Sequence, residues 1–271
     1  MTNICTFSKL GRWGRAANAW FQVAGTIGIA RRNGFDFGFP LLQNHDGRNF
    51  EPDIDIDMYK RFLNPLPLYE GPQLPVYDCP WGYRHIDLNQ STDLLGHFQS
   101  EKFFSHAIDE VRYYLTMVDE PPLNDYCAIH WRAGDYGEAK SIQHPDGNSY
   151  HPRMALSYYE PAMAQFGSNQ KYLVFSDDIE GAKAMFGDRV EYSEGRDYLE
   201  DFKLLKRCRH FIIANSSFSL LAAMLGDADD KQVIAPVPWF GGPWSDWDSR
   251  DCYSPGWKVV NWQMGEIKLA A

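Results

Sequence analysis

The sequence predicts an α/β protein with two halves, each built from β-strands that alternate with helices. The first observation is a strand, a glycine-containing loop, a helix and a second strand within residues 4–39. The second is a fourfold alternation of strand and helix patterns between residues 126 and 235. The third is that polar clusters follow the strands of this second half, at 130–135, 176–178 and 215–219. Such alternation is typical of parallel sheets, whose ligands bind beyond the carboxyl ends of the strands.

The first half begins with a βαβ unit. Residues 4–8 form a short apolar strand, and residues 19–32 place apolar side chains at steps of three and four, which indicates a helix. An Asn-Gly pair ends that helix before a second strand at residues 35–39. The loop before the helix contains Gly14. A glycine loop at a helix N-terminus either binds an anion or makes a plain tight connection, and the sequence leaves both open.

The middle of the chain is irregular and ends in a clear break. Residues 40–82 are rich in Pro, Asp and Asn, with a short helix predicted near residues 58–62, and such long irregular stretches are commonly binding loops. A helix is predicted over residues 101–117, with Ser100 as its N-cap. The pair Pro121-Pro122 then interrupts the chain, so we place the boundary between the halves there.

The second half is predicted to contain five strands and four helices in alternation. The strands are expected at 126–129, 171–175, 190–192, 211–214 and 233–235, and the helices at 152–166, 179–186, 199–209 and 215–225. Because the carboxyl ends of parallel strands meet at one edge of a sheet, the three polar clusters should converge there. The predicted organisation is therefore a first half at 1–120, a second half at 121–240, and a tail at 241–271 that packs back on the core.

Composition limits the classes of partner and compartment. The formal net charge is −10, and such a surface repels DNA and RNA. The five cysteines are scattered, with no Cys-x-x-Cys pair, so neither a disulfide framework nor a zinc knuckle is indicated. The sequence contains no run of 18 apolar residues, so no membrane span is expected. The N-terminus lacks the apolar run of a signal peptide, which favours a cytoplasmic protein.

The stretch with the clearest chemistry is 126–136, in which four strand-like residues lead directly into a polar cluster. A guanidinium such as that of Arg132, placed at a strand end, is oriented to hold a phosphate through two parallel hydrogen bonds. Gly134 lets the backbone turn tightly beside it. The alternative is a strand that simply ends in a polar surface loop.

Six stretches resemble, in the same order, the motifs of glycosyltransferase family 11, the bacterial and viral α-1,2-fucosyltransferase group. They are GRAANAWFQ at 14–22, GHFQSEKFF at 96–104, HWRAGDY at 130–136, VFSDD at 174–178, HFIIANSSFS at 210–219 and VIAPVPWF at 233–240. The resemblance covers roughly residues 4–240. It implies a GT-B-like fold, in which two Rossmann-like halves face a cleft. The first half, 1–120, would then lie on the acceptor side, and the second half, 121–240, would bind the GDP-sugar donor. It further implies inverting transfer of a sugar, most often L-fucose, from a GDP-sugar to a hydroxyl of a glycan, with no metal or other cofactor.

The resemblance also implies roles for individual residues of the second half. Arg132 would stabilise the charge that builds on the departing diphosphate, and His130 would contact the nucleotide unless it is only a buried strand-end histidine. Asp177 and Asp178 would accept hydrogen bonds from guanine, or cap the following helix, or divide the two tasks. The phosphate would bind at a helix N-terminus that is formed by Asn215, Ser216, Ser217 and Ser219. The alternative is that these residues only cap the helix.

The remaining roles fall on loops. Gly14 and Asn18 would bring the first half to the diphosphate or the sugar. The sequence does not identify the general base that would accept the proton of the acceptor hydroxyl. One candidate is Asp135, although such a residue also serves to orient nearby backbone. The other candidate is the pair His45 and Asp46, for which the alternative is a solvated loop. The expected partners are thus a GDP-sugar and a glycan acceptor.

The sequence departs from the family pattern near these groups. Ala133 stands where a second arginine is usual, Ala17 and Ala19 replace Gly and Gln, and residues 220–224 read Leu-Leu-Ala-Ala-Met in place of a tryptophan-rich run. Two alternatives therefore stay open. One is a transferase that uses another GDP-sugar, and the other is a non-catalytic relative that binds glycan or nucleotide.

Overall fold

The computed structural model describes residues 2–11, 14–40, 64–115, 121–134, 136 and 150–270. The chain divides into two compact units, Met1–Asp119 and Glu120–Ala271. Each unit contains its own mainly parallel sheet with helices, which confirms the predicted α/β class with two Rossmann-like halves. Within the described ranges, no helix has both the length and the apolar character needed to cross a bilayer.

The described residues of the first unit form a four-stranded sheet and include one long helix. Its strands are β1 (Ile4–Thr6), β2 (Asp36–Phe37), β3 (Val76–Asp78) and β4 (Thr92–Leu95), in the order β2-β1-β4-β3 and all parallel. Helix α1 (Ala16–Arg32) connects β1 to β2, so the predicted βαβ unit is confirmed. The helix begins three residues earlier than predicted, and it is buried along most of its length.

Two glycines of α1 let the segment after β4 pack directly on the helix. A Cβ at Gly25 would overlap the Phe98 side chain, and a Cβ at Gly28 would overlap the backbone of Phe103. Phe98 itself takes a left-handed backbone conformation with φ of 51°, which is unusual for a bulky residue. The backbone of this segment therefore lies where a side chain would otherwise stand, and the packing holds it in a strained conformation.

This close packing explains one wrong prediction. Instead of a single helix over 101–117, the structure has two short 3-10 turns, Glu101–Phe103 and Ser105–Ala107, followed by helix α2 (Ile108–Leu115). Phe104 interrupts the helical path with φ of −134° and ψ of −1°. Ser100 caps the first turn, where its hydroxyl accepts a hydrogen bond from the Lys102 amide.

The second unit is a seven-stranded sheet. Its strands are β5 (Leu123–Trp131), β6 (Lys171–Ser176), β7 (Glu191–Tyr192), β8 (Cys208–Ile212), β9 (Val233–Val237), β10 (Lys258–Asn261) and β11 (Ile267–Leu269). Their order is β11-β10-β9-β8-β5-β6-β7, and all pairings are parallel except that of β10 with β11. The predicted parallel sheet is confirmed. Residues 241–271, predicted to pack back on the core, contribute its strands β10 and β11.

The strand order creates a crevice at the centre of this sheet. From β5 the chain runs outward to β6 and β7, then returns to place β8 on the other side of β5. The connections that leave β5 and β8 therefore run in opposite directions across the sheet. The crevice between these two strands is the topological switch point, where open α/β sheets bind ligands. The residues that follow β5 and β8 lie at this point.

In the part of the second unit that the structure describes, four helices connect the strands. They are α3 (Leu156–Met163), α4 (Ile179–Phe186), α5 (Tyr198–Lys206) and α6 (Ser217–Leu225). Helix α3 is shorter than the predicted 152–166, because the residues before it are extended, with ψ of 174° at Ala155. Helix α5 begins with a capping box, in which Asp197 and Glu200 bind each other's backbone amides.

Helix α3 anchors the carboxyl ends of the central strands. The Tyr158 hydroxyl donates to the carbonyl oxygens of Ile213 (2.6 Å) and Ile234 (3.1 Å), and the Tyr159 hydroxyl donates to that of His130 (2.8 Å). Both tyrosines are fully buried. Since an unpaired buried carbonyl is costly, these two hydroxyls hold the ends of β5 and β8 in a defined position, and Tyr158 also joins the end of β8 to the start of β9.

Candidate functional site

The three polar clusters that follow β5, β6 and β8 meet at one edge of the second sheet. Arg132 forms an ion pair with Asp177, which joins the first cluster to the second. His130 Nδ1 lies 2.9 Å from the Ser219 hydroxyl, which joins the first cluster to the third. The predicted convergence is therefore confirmed by direct contacts. The roles that the sequence assigns to these residues stay predictions.

Arg132 lies just beyond β5, at the switch point. Its side chain is 16% exposed and Asp177 is 28% exposed, so the pair lies in a recess that solvent still reaches. The guanidinium carbon lies 5.3 Å from the centre of the Tyr136 ring, a cation–π distance. A carboxylate on one side and a ring face on the other restrict the guanidinium to a narrow range of orientations.

The two adjacent carboxylates after β6 do different work. Asp177 turns toward β5, where its Oδ1 accepts a hydrogen bond of 2.8 Å from the Ala133 amide while Oδ2 faces Arg132. Asp178 caps helix α4, because its Oδ1 accepts a hydrogen bond of 2.9 Å from the Gly181 amide. Of the pair proposed to meet guanine, Asp178 thus has a local structural task, and Asp177 is engaged with the arginine loop.

Gly134 is required by the turn that presents the arginine. Its φ is +22°, a conformation that side chains disfavour, and a Cβ there would overlap the Asp177 carboxylate. The added atom would also lie 3.2 Å from the guanidinium of Arg132. The glycine therefore leaves the space in which the ion pair forms.

His130 is buried at the end of β5. It is 6% exposed, and its ring centre lies 5.5 Å from that of Phe218 with the two planes tilted by 37°. Burial lowers the pKa of His130 from 6.5 to about 4, although the negative charge of Asp177 acts in the opposite direction. The imidazole is therefore neutral at pH 7. Through Ser219 it connects the end of β5 to the first turn of α6.

The N-terminus of helix α6 lies beside this histidine. Ser216 is the N-cap, and its hydroxyl accepts a hydrogen bond of 3.4 Å from the Phe218 amide. Ser217 is half-buried at the first helical position, while Ser219 is completely buried. The positive end of the helix dipole and its first-turn amides favour an anion at this position.

Asn215 has a different character from the serines that follow it. Its Nδ2 donates to the Trp239 carbonyl oxygen at 3.2 Å, and its own carbonyl oxygen accepts a hydrogen bond of 3.2 Å from the Tyr136 hydroxyl. The side chain is 1% exposed. Asn215 therefore ties the end of β8 to the segment after β9 and to the arginine loop, and its buried side chain presents no exposed donor to a phosphate.

Arg153 braces the arginine loop and was not predicted as a site residue. Its guanidinium donates to the carbonyl oxygens of Tyr136 (3.0 Å), Ala133 (3.2 Å) and Gly134 (3.3 Å). Nothing in the local pattern indicates this role, because Arg153 lies in an irregular segment that is 19 residues after Gly134. Only the folded chain brings it under the loop.

In the first unit, the residues proposed to approach the ligand surround the start of α1. Gly14 has a φ of +76°, and a Cβ there would overlap the Asn18 side chain. Asn18 Oδ1 accepts a hydrogen bond of 2.6 Å from Gln99 Nε2, which joins the α1 loop to the segment after β4. The three candidates for the general base, Asp135, His45 and Asp46, lie outside the described residues.

Comparison with known proteins identifies relatives in one family. The family model of Glycosyl transferase family 11 matches residues 71–261. O-antigen biosynthesis glycosyltransferase WbnK of Escherichia coli is 33% identical over 153 residues, which are 54% of this chain and 48% of that protein. Alpha-1,2-colitosyltransferase of Escherichia coli is 30% identical over 169 residues, which are 55% of this chain and 57% of that protein. The aligned part thus spans about half the length of these curated relatives.

Two solved structures are also similar. One is the crystal structure of NodZ alpha-1,6-fucosyltransferase soaked with GDP-fucose, with a TM-score of 0.43 and 12% identity over 83% of this chain and 93% of that chain. The other is Escherichia coli heptosyltransferase WaaC with ADP, with a TM-score of 0.42 and 9% identity over 100% of this chain and 94% of that chain. The family match covers residues 71–261, far more than half of the sequence and including the arginine loop and both polar clusters beside it. The chain therefore belongs to glycosyl transferase family 11.

Proposed function

We propose that this chain is an inverting glycosyltransferase whose second unit binds a GDP-sugar donor at the switch point between β5 and β8. We favour L-fucose as the sugar, transferred to a hydroxyl of a glycan acceptor. Membership of the family supports the transferase class. The observation that carries the proposal is the position of Arg132, held at the carboxyl end of β5 beside the Asp177 carboxylate. It lies two residues after His130, which contacts Ser219 in the N-terminal turn of α6.

The proposed chemistry follows from this position. In the transfer, negative charge builds on the diphosphate as its bond to the sugar breaks. A fixed guanidinium aimed at that charge stabilises the transition state more than the bound substrate, and so raises kcat. Asp177 acts as a positioning residue, because it orients the guanidinium and binds the Ala133 amide of the same loop. The α6 N-terminus offers a second, backbone source of positive potential.

The ion pair with Asp177 needs to be reconciled with phosphate binding. A guanidinium has five N–H donors in a planar fork, so it can bind a carboxylate along one edge and a phosphate along another. The recess around the pair is reached by solvent. We therefore propose that Asp177 remains bound to Arg132 while the diphosphate is held. In that arrangement Asp177 is the positioning partner, and guanine recognition by its carboxylate is not required.

The test is a comparison of Arg132→Ala with an exposed arginine of the same unit. Arg132→Ala is expected to reduce kcat by roughly a hundredfold or more, because one preorganised contact to developing charge is lost. Arg209→Ala is the matched control, since Arg209 pairs with Asp230 at the opposite end of β8 and should leave kcat unchanged. The measurement is GDP release from GDP-fucose in the presence of a glycan acceptor, with thermal unfolding recorded for each variant. Undiminished transfer by a folded Arg132→Ala variant contradicts the proposal.

Two alternatives lead to different donor profiles. One is a transferase that uses another GDP-sugar, which the departures at Ala133 and residues 220–224 favour, as does a relative named for colitose. A thermal-shift series with GDP, UDP and then several GDP-sugars, all at one concentration, separates these cases, because a ligand that binds the native state raises Tm by an amount that grows with the logarithm of its affinity. The other alternative is a non-catalytic relative. It predicts a Tm shift with GDP but no release of GDP from any donor.

A further inference from the structure

The charges of the ion pair at the end of β5 nearly cancel. Arg132 and Asp177 contact each other directly, so a carboxylate offsets the positive charge of the guanidinium at the same place. Such a pair offers directed N–H donors but little net positive potential. A diphosphate is a multiply charged anion, and the chain as a whole carries a formal net charge of −10. A further positive group beside the arginine loop would therefore favour binding of the diphosphate.

Arg153 brings a second guanidinium to the same loop. Its Nε donates to the carbonyl oxygen of Tyr136 at 3.0 Å. Its Nη2 donates to the carbonyl oxygens of Ala133 at 3.2 Å and Gly134 at 3.3 Å. The guanidinium carbon also lies 6.0 Å from the centre of the buried Trp131 ring. Because several contacts act on one planar group, its position beside the loop is fixed before any ligand arrives.

The positive charge of Arg153 is not offset in the way that the charge of Arg132 is. Among the described residues, the hydrogen-bond partners of Arg153 are neutral carbonyl groups, and no carboxylate pairs with it. Carbonyl groups satisfy N–H donors but do not cancel a full charge. The residue is exposed, and its Nη1 donates to no acceptor in the part of the chain that the structure describes. Arg153 therefore combines a fixed position, a full charge and N–H donors that a ligand can use.

Position 133 contributes no charge to this loop, although the family pattern usually has an arginine there. The side chain of Ala133 is 2% exposed and belongs to the apolar core of the second unit. Arg153 reaches the carbonyl group of this same residue from a segment 20 residues further along the chain. The arginine loop is therefore accompanied by two guanidinium groups even though its sequence contains one.

We propose that Arg153 is a second diphosphate-binding residue, which supplies the positive charge that Asp177 offsets at Arg132. Its Nη1 donates to a phosphate oxygen, while Nε and Nη2 keep their bonds to the loop carbonyls. Arg132 remains the group that faces the charge developing on the leaving diphosphate. This inference rests on the proposed function, which places the diphosphate of a GDP-sugar at this loop.

The experiment is calorimetric titration of the full chain with GDP and with guanosine, which lacks the diphosphate. Arg153→Gln should weaken GDP binding by about tenfold or more, because a charged hydrogen bond is removed. The affinity for guanosine should change by less than about twofold, since no phosphate is present. Arg153→Lys should keep the GDP affinity to within about threefold, because it retains the charge although it lacks the planar fork.

Arg189→Gln is the matched control, because Arg189 also donates to a backbone carbonyl group, that of Phe186 at 3.0 Å, but follows the C-terminus of α4 and pairs with Glu160. GDP should bind this variant as it binds the unmodified protein. Thermal unfolding of each variant shows that it is folded at the temperature of the titration.

Two patterns of affinity would overturn the inference. In one, Arg153→Gln binds GDP as tightly as the unmodified protein. In the other, GDP and guanosine lose affinity by the same factor, or Arg153→Lys loses as much GDP affinity as Arg153→Gln, which would mean that Arg153 only braces the loop. Failure of GDP to bind the unmodified protein is a separate result, and it would overturn the proposed function together with this inference.

Discussion

At the scale of single residues, the state of His130 links the stability of the second unit to pH. The group is neutral when folded because burial lowers its pKa from 6.5 to about 4. Protonation below pH 6.5 is therefore favoured in the unfolded chain and disfavoured in the native one. The contribution of neutral His130 to the free energy of unfolding is therefore fully present above pH 6.5, and it is lost as the pH falls toward 4.

We predict that the free energy of unfolding falls by about 3 kcal/mol between pH 6.5 and 4 through this group alone, and that His130→Gln abolishes that slope. Asp201 acts in the opposite direction, because burial raises its pKa to about 6. Comparing the pH dependence of the unmodified protein with that of His130→Gln isolates the contribution of the histidine, because Asp201 is present in both proteins. The measurement is urea unfolding at several pH values, with the exposed His85→Gln as control. An unchanged slope in His130→Gln contradicts the assignment.

A second residue-scale prediction concerns Gly134. Gly134→Ala should weaken GDP binding by roughly tenfold, because the new Cβ displaces Asp177 from Arg132 and costs about 1–2 kcal/mol of backbone strain. Gly195→Ala is the matched control, since Gly195 also has a positive φ, +71°, but open space around its Cβ. Calorimetric titration with GDP distinguishes them. Equal GDP affinity in both variants would show that the ion pair does not govern nucleotide binding.

At the scale of elements, helix α1 and the segment after β4 form one packed unit. Gly25 admits the Phe98 side chain and Gly28 admits the backbone of Phe103, and Gln99 of the same segment binds Asn18. A glycine inside a helix is normally a cost of roughly 1 kcal/mol relative to alanine. Here the close approach of two backbones outweighs that cost. The motif residues of the first unit therefore depend on helix packing for their position.

We predict that Gly28→Ala destabilises the protein by about 1–3 kcal/mol, although alanine is the better helix former, because its Cβ overlaps the Phe103 carbonyl. Gly167→Ala, where the added atom meets open space, should change stability by less than about 0.5 kcal/mol. Thermal and urea unfolding measure both. A stabilised Gly28→Ala variant would mean that the segment after β4 packs less closely than the structure shows.

At the scale of the whole molecule, charge determines how an anionic donor is held. A net charge of −10 opposes the approach of a nucleotide diphosphate, so a local cation has to offset that field. The cation is either a bound divalent metal or a side chain. We propose that it is Arg132, with the α6 N-terminus in support.

The corresponding prediction is that transfer persists in excess EDTA, and that added Mg²⁺ or Mn²⁺ does not restore activity to Arg132→Ala. A metal-dependent enzyme would lose its activity to the chelator, because the metal would carry the charge of the leaving diphosphate. The measurement is GDP release with and without EDTA at constant ionic strength. Loss of activity that returns on addition of a divalent metal would refute the metal-free mechanism.

Several features of the fold and site were predictable because they are written in local patterns. Apolar runs and helical spacing identified the alternating strands and helices, and polar residues directly after strands identified one sheet edge. The convergence of Arg132, Asp177 and Ser219 follows from that rule without knowledge of strand order. The same local reasoning failed at 101–117, where tertiary contact between α1 and Phe103 replaces one helix with tight turns.

The alternation of strand and helix, the parallel sheet and the position of the arginine loop are thus properties of the sequence itself, because hydrophobic period and turn residues act over a few positions. The tertiary structure alone decided that β8 returns beside β5, that Arg153 braces the loop, and that the Tyr158 and Tyr159 hydroxyls bind the carbonyl groups at the ends of the central strands. These features depend on contacts between segments far apart in the chain. Their energies come from packing and from hydrogen bonds to particular carbonyl groups, which no local pattern encodes.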